Sequence, residues 1–315
     1  MAKGEDKRKI IFDKYVAQLR LLNDKKLLPG TFTYEEDTYV CPICLDKFSV
    51  EDLKSSSKKM LTLEDAPPKA LGGHSNTLTC KKCNSEAGHK IDCHLNKRLV
   101  ELNVRSFLPN TSSKAKFTYN GITVNGQLQV ENDGEITVKH NEKFNEPKGL
   151  KQYIESTKKD NVIDLEFAPS SVDTHRLEVA LLKTAYMLAF EKFGYALILD
   201  KSYDIVREQI KNPEKYIYPM GFWTKQSSFR KIHEGVHVID SGEFNGFFAI
   251  FTLETGPSKY MFGAYLPVSD MITDVVILKL RGQEAGFALP LKSLKQYDYF
   301  ENTENMERLY KLLQK

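Results

Sequence analysis

Two pairs of cysteines, Cys41-Pro42-Ile43-Cys44 and Cys80-Lys81-Lys82-Cys83, are the residues of this chain best suited to chemistry. Each C-x-x-C turn can present two thiolates on one side, and two such turns supply the four sulfurs of a tetrahedral Zn²⁺ site. About 35 residues separate the pairs, more than in the shortest zinc modules, so the chain between them must fold as a unit. A lone C-x-x-C also suits a redox dithiol of the thioredoxin kind, but two copies flanked by lysines favour metal. Four cysteine ligands leave no open position for substrate, which makes the expected Zn²⁺ structural. The fifth cysteine, Cys93, reads as a core residue and not as a further ligand beside His94.

Between the pairs lies LTLEDAPPKALGGHSN, with the adjacent carboxylates Glu64 and Asp65, and Asn84 follows the second pair directly. Neighbouring carboxylates suit a hard divalent ion such as Mg²⁺ or Mn²⁺. Asp65 is a poor proton acceptor, since an ordinary aspartate is ionised well below neutral pH. His74 and His89 are the nearby residues that could serve as a base, and a lone surface histidine more often has no such role. Pro67 and Pro68 stop the strand, while Gly72 and Gly73 allow positive φ in the loop. Lys81, Lys82, Lys90, Lys97 and Arg98 surround the second knuckle and could hold phosphates, or simply be solvated.

Residues 38–98 thereby resemble the HNH endonuclease family, in the form whose ββα-metal site is stapled by four cysteines. The resemblance rests on Cys41, Cys44, LTLEDAPPKALGG, Asn76, Cys80, Cys83 and Asn84. It implies Glu64 as the metal-binding acid, Asn84 as the helical metal ligand and Asn76 as a brace for the loop. Asp65 falls where that family places its catalytic histidine, with His74 the favoured substitute. The implied reaction is hydrolysis of phosphodiester bonds, double-stranded DNA foremost, with a catalytic Mg²⁺ or Mn²⁺ and a structural Zn²⁺. Restriction or antiphage defence is the implied setting. Loss of the histidine motivates a rival expectation, a catalytically silent zinc-binding adaptor for nucleic acid or protein.

The elements that must position these residues give an α+β fold class: an N-terminal zinc-stapled ββα-metal (HNH-like) domain followed by a mixed α+β domain. Pro109 to Lys114 reads as a linker, dividing the 315 residues into a domain at 1–106 and a specificity or sensing domain at 115–315. A helix is expected over 7–28, its Lys7, Arg8, Lys9 and Lys14 forming a solvated face or leaning on DNA. The stretch 116–140 alternates across Asn-Gly and Asp-Gly turns as an antiparallel meander. Helices at 147–158, 172–193 and 203–210 and a last helix near the C-terminus are expected, with strands at VIDLEF, YALIL, GVHVID, FNGFFAIFTLE and YMFGAYLPV. The cluster Tyr216, Tyr218, Phe222, Trp223, Phe229, Arg230 and Lys231 suits core packing more than base stacking. His233 and His237 fall in a turn and strand and do not form a helical zinc pair. A formal charge of +3 excludes little, since local basic clusters can still bind polyanions. The absence of a long apolar run and the polar start point to a cytoplasmic protein with no membrane partner. Homo-oligomerisation and a protein or ligand partner for the C-terminal domain stay open.

Overall fold

The computed structural model describes residues 3–158, 160–240, 245–268, 277–278 and 290–313. In chain order it contains α1 (Lys3–Asp24), the short strands β1 (Tyr39–Val40) and β2 (Lys47–Phe48), the hairpin strands β3 (Leu61–Ala66) and β4 (His74–Cys80), and α2 (Lys81–Ala87). A π turn, Gly88–Asp92, leads into α3 (Cys93–Arg105). Then come β5 (Thr111–Tyr119), β6 (Ile122–Val130), β7 (Ile136–His140), α4 (Pro147–Ser156), β8 (Asp164–Phe167), α5 (Thr174–Phe193), α6 (Tyr195–Ile198) and α7 (Asp204–Lys211). The chain continues through β9 (Trp223–Lys225), β10 (Gly235–Asp240), β11 (Asn245–Thr255), β12 (Ser258–Leu266), β13 (Leu291–Ser293) and α8 (Thr303–Leu313). The class is mixed α+β, built on several small antiparallel sheets.

Two compact units emerge, one formed by Met1–Leu95, Asp173–Glu254 and Lys259–Lys315, the other by Asn96–Val172 with Thr255–Ser258. This division differs from the consecutive domains expected at 1–106 and 115–315. The cysteine module shares its unit with α5, which is buried on nearly all sides: Leu177, Val179, Ala180, Leu181, Leu182, Ala185, Tyr186, Met187, Ala189, Phe190 and Phe193 all lie inside. A helix apolar all round must be covered all round. The cysteine module and α1 supply part of that cover, as the Tyr186 hydroxyl bonded to the Pro42 carbonyl and the Tyr15 ring 4.6 Å from the Phe190 ring attest.

Within this unit α1, expected over 7–28 and found at Lys3–Asp24, buries Ile11, Tyr15, Leu19 and Leu22 of the expected near-helical spacing together with Phe12 and Val16, whereas Ile10, read as part of the same stripe, is 68 % exposed. Its basic residues are largely engaged: Arg8 is buried and donates to the Leu61 carbonyl at 3.2 Å, Lys9 pairs with Asp13, and the Lys14 ammonium lies 3.8 Å from the centre of the Phe300 ring. The run YALIL, expected as a strand, forms helix α6 over Tyr195–Ile198, with Tyr195, Leu197 and Ile198 buried. Short apolar runs do not distinguish the two states by period. A sheet ordered β13-β10-β11-β12-β9 completes the unit. Tyr218 and Phe222 are buried, Trp223 Nε1 donates to Glu178, and Tyr216 stacks on His175, so the aromatic cluster mainly packs. His237 Nε2 lies 2.7 Å from the His233 carbonyl oxygen.

The second unit is a four-stranded sheet, β7-β6-β5-β8, whose inner face packs Ala115, Phe117, Val124, Leu128 and Val130 against Leu150 and Tyr153 of α4. The meander forms as expected, but the predicted linker does not stay separate: Thr111–Lys114 belong to β5 and pair with Val130–Gln127. Gly126 is needed here, since a Cβ would approach His140 and Phe117 to 2.9 Å.

Gln18, fully buried in α1, ties three segments of the first unit together. Its Nε2 donates to the Phe193 carbonyl at 2.8 Å and the Tyr299 carbonyl at 2.6 Å, and its Oε1 accepts from Tyr195 N at 2.8 Å. Gly194, at φ 59°, lies so close that a Cβ would come within 1.9 Å of Gln18 Oε1. Replacing Gln18→Leu leaves two carbonyls and one N–H dry and unpaired, and should cost about 3 kcal/mol in urea denaturation. A cost within error of zero would show that the clamp is not stabilising.

Candidate metal centre

The first cysteine pair lies in the turn between β1 and β2, which pair antiparallel through Tyr39↔Phe48 and Val40↔Lys47. Cys41 N bonds to the Asp46 carbonyl and Leu45 N to the Cys41 carbonyl, both at 2.9 Å, while Leu45 takes φ 61° to close the turn. Cys80 is at once the last residue of β4 and the N-cap of α2, its sulfur accepting from Cys83 N at 3.4 Å. Cys80 N in turn donates to Cys41 Sγ at 3.4 Å, and the Tyr39 hydroxyl donates to the Leu78 carbonyl at 2.7 Å.

All four sulfurs of Cys41, Cys44, Cys80 and Cys83 lie within 4.8 Å of one another, and Cys44 and Cys80 are 3.9 Å apart. A tetrahedron with Zn–S bonds of about 2.3 Å has sulfurs about 3.8 Å apart, so the residues fit a zinc ion. None of the four is in a disulfide. Burial pushes the Cys41 thiol up, whereas thiol hydrogen bonds, from Cys41 foremost, draw Cys80 strongly down. Cys93 is not the core residue expected: it is half-buried and its thiol donates to the His89 carbonyl one turn earlier.

The hairpin places Glu64 opposite Thr77 and Thr62 opposite Thr79, with a register shift between Glu64 and Asp65. Glu64 faces inward and is 2 % exposed. Thr79 donates to its Oε2 at 2.7 Å, and Lys183 of α5 lies 2.7 Å from its Oε1. The same ammonium lies 2.7 Å from Asp92 Oδ2. Burial alone would lower the Lys183 pKa, but attraction to Glu64 and Asp92 outweighs it and holds the group above its ordinary value. Burial pushes Asp92 above the usual carboxylate range against the opposing pull of Lys183.

With both carboxylates ionised, these two acids and one ammonium leave the cluster one negative charge in excess among the described residues. Asp92 Oδ1 and Thr77 Oγ1 are buried and have no hydrogen-bond partner among the described residues. A hard divalent cation, which takes carboxylate and hydroxyl oxygens, matches this donor set chemically.

The other expected site residues are engaged elsewhere or exposed. Asn84 lies over the hairpin, its amide donating to Thr62 Oγ1 at 3.0 Å and the Leu63 carbonyl at 2.9 Å. Asp65 accepts from the Ser75 hydroxyl, a different engagement from that of Glu64. Asn76 reaches α5, donating to Glu191 at 2.9 Å, and His74 is exposed at the hairpin's loop end opposite Ala66. Gly72 has φ 85°, while Gly73 is required for a different reason, since a Cβ there would strike the Pro67 carbonyl oxygen at 1.5 Å. Lys81, Lys82 and Lys97 are exposed, Lys90 pairs with Glu86 at 3.1 Å, and Arg98 lies 3.6 Å from Glu101. Lys97 and Arg98 belong to the second unit.

Sequence reasoning missed Asp92 and Lys183. Asp92 is eight residues beyond Asn84, which on a regular helix lies about 80° away. The π turn at Gly88–Asp92 inserts one residue and brings it back toward the same face. Lys183 carried one usable signal, a charge within the apolar run of α5.

Removing the ammonium with Lys183→Met should destabilise the protein by about 3–5 kcal/mol, because it strands two buried carboxylates. Asp92→Asn should cost under about 1 kcal/mol, since it removes the surplus charge and keeps an acceptor for Lys183. Wild type should lose stability as pH rises through the raised Asp92 pKa, because the folded state binds that proton more tightly, and D92N should lack this slope in urea melts at stepped pH. Metal analysis should find one zinc per chain, with Cys80→Ser losing the ion and lowering the melting temperature. Compared with family models, with curated proteins and with solved structures, the chain finds no match in any of the three.

Proposed function

We propose that the protein is a metal-dependent endonuclease of HNH type, hydrolysing phosphodiester bonds in DNA at the buried face of the β3–β4 hairpin. The observation that carries this reading is the unbalanced negative charge at Glu64 and Asp92, with two oxygens unpartnered among the described residues, in a module whose four-cysteine cluster ties the β1–β2 turn to the junction of β4 and α2. Glu64 and Asp92, with Thr77 beside them, would hold a divalent ion there. Such an ion supplies Lewis-acid charge at a scissile phosphate. Asn84 fixes the helix over the strand through Thr62 and the Leu63 carbonyl, and Thr79 fixes the Glu64 carboxylate. With Asp65 where a histidine would be the base, proton removal from the attacking water depends on solvent or on His74. Restriction or antiphage defence remains the setting this reading favours.

A second reading, a silent zinc-binding adaptor for nucleic acid, is favoured by Lys183. Its ammonium sits between the two carboxylates, under α5, at 3 % exposure. A tethered cation there can substitute for a metal ion in stabilising the fold without any chemistry.

Purified protein should nick or linearise plasmid DNA with Mg²⁺ or Mn²⁺, and Glu64→Gln and Asp92→Asn should each reduce the rate at least about a hundredfold, the scale on which groups serving transition-state charge act. Salt-sensitive DNA binding with no cleavage under any divalent ion would establish the adaptor instead. Cleavage undiminished in E64Q would place the activity elsewhere.

A further inference from the structure

We infer that the outer face of the sheet in the second unit is a binding site for single-stranded nucleic acid, independent of whether the hairpin site cuts. The inner face of this sheet is apolar and covered by α4, while the strand register assigns the outer face to a different chemistry. Lys139 on β7, Gln127 on β6 and Lys114 on β5 form one row across the sheet. The next row is Asn125, Lys116 and Glu166 on β6, β5 and β8. These six side chains line a cleft of about 970 Å³ that spans all four strands.

A solvated face on an antiparallel sheet is common and by itself says nothing. Three features distinguish this one. The face is concave. Its charges are mostly of one sign, Lys114, Lys116, Lys139 and Lys143 against Glu142 and Glu166. At its rim the Phe144 ring is 64 % exposed, with the Lys114 ammonium 5.9 Å from its centre. An exposed aromatic beside lysines offers a stacking surface for a base next to cations for its phosphate, and the amide oxygens of Asn125 and Gln127, whose nitrogens already donate to the Phe144 carbonyl and the Ser112 hydroxyl, can accept from base edges. Strands about 4.8 Å apart set Lys139 and Lys114 about 10 Å from each other at the backbone, with long stems that reach a phosphate chain lying across the sheet. Duplex DNA presents no unstacked base to Phe144, so charge together with the aromatic points to a single strand.

The test uses the full chain in EDTA, so that binding is read without hydrolysis, and a fluorescein-labelled thymidine 20-mer followed by anisotropy. Lys114→Glu/Lys139→Glu should weaken binding more than tenfold and flatten the logarithmic salt dependence by about 1.4, the value for two lost contacts to a single strand. Phe144→Ala should weaken binding by about fivefold or more, from the stacking of one base. Lys25→Glu, a charge reversal at an exposed position of the first unit, should bind as wild type does, and because binding is read in EDTA, failure of the nuclease reading leaves this result untouched. The proposal is overturned if K114E/K139E binds like wild type with unchanged circular dichroism, or if only Lys81→Glu/Lys82→Glu abolishes binding. It is equally overturned if thymidine monophosphate alone competes as well as the strand, since the cleft then takes a small nucleotide.

Discussion

Four sulfur atoms within 4.8 Å of one another set the geometry on which the rest of the candidate site depends. The segment they close has strands of only two, six and seven residues, too little regular structure to hold a fixed arrangement by backbone pairing alone. Because Cys80 ends β4 and caps α2, the cluster fixes where the hairpin stops and where the helix begins. A zinc ion bound there would contribute folding free energy on the order of 10 kcal/mol. The position of Asn84 over Thr62 and the approach of Asp92 to Glu64 both follow from that single junction.

How much of this was legible in the sequence depends on how local its causes are. The cysteine turns, the Asn-Gly and Asp-Gly meander and the apolar stripe of α1 are each set within a few residues, and each appears in the structure. Gly72 takes the positive φ expected of it, but Gly73 does not, and what Gly73 provides is room for the Pro67 carbonyl. The partnership of Lys183 with Glu64 joins residues far apart in the chain, and no periodicity encodes it. The run YALIL carried only burial, which a strand and a helix satisfy equally, so Gly194 and the Gln18 clamp decided it.

Helix α5 explains why the expected domain order misleads. Its apolar girth needs cover on every side, and part of that cover comes from the cysteine module, where Tyr186 bonds the Pro42 carbonyl and Tyr195, just beyond α5, bonds both backbone groups of Val40. The same helix carries Lys183 to Glu64 and, eight residues further on, Glu191 to Asn76. Zinc module and helix therefore specify one another: the sulfurs shape a surface, and α5 is the element that fits it.

That fit has an electrostatic consequence. Glu64 can be buried because Lys183 accompanies it, yet one ammonium does not neutralise both Glu64 and Asp92, and burial raises the Asp92 pKa in response. A divalent cation joining the cluster with Lys183 still present would change its charge from minus one to plus one, leaving an excess of the other sign. If the ammonium withdraws, two carboxylates and the ion sum to zero, the state a low-dielectric site favours. Lys183 is held at 3 % exposure in the middle of α5, so its withdrawal requires that helix to loosen over the hairpin. The interaction that stabilises the closed fold is thus in direct competition with the binding of any divalent ion to the same carboxylate oxygens.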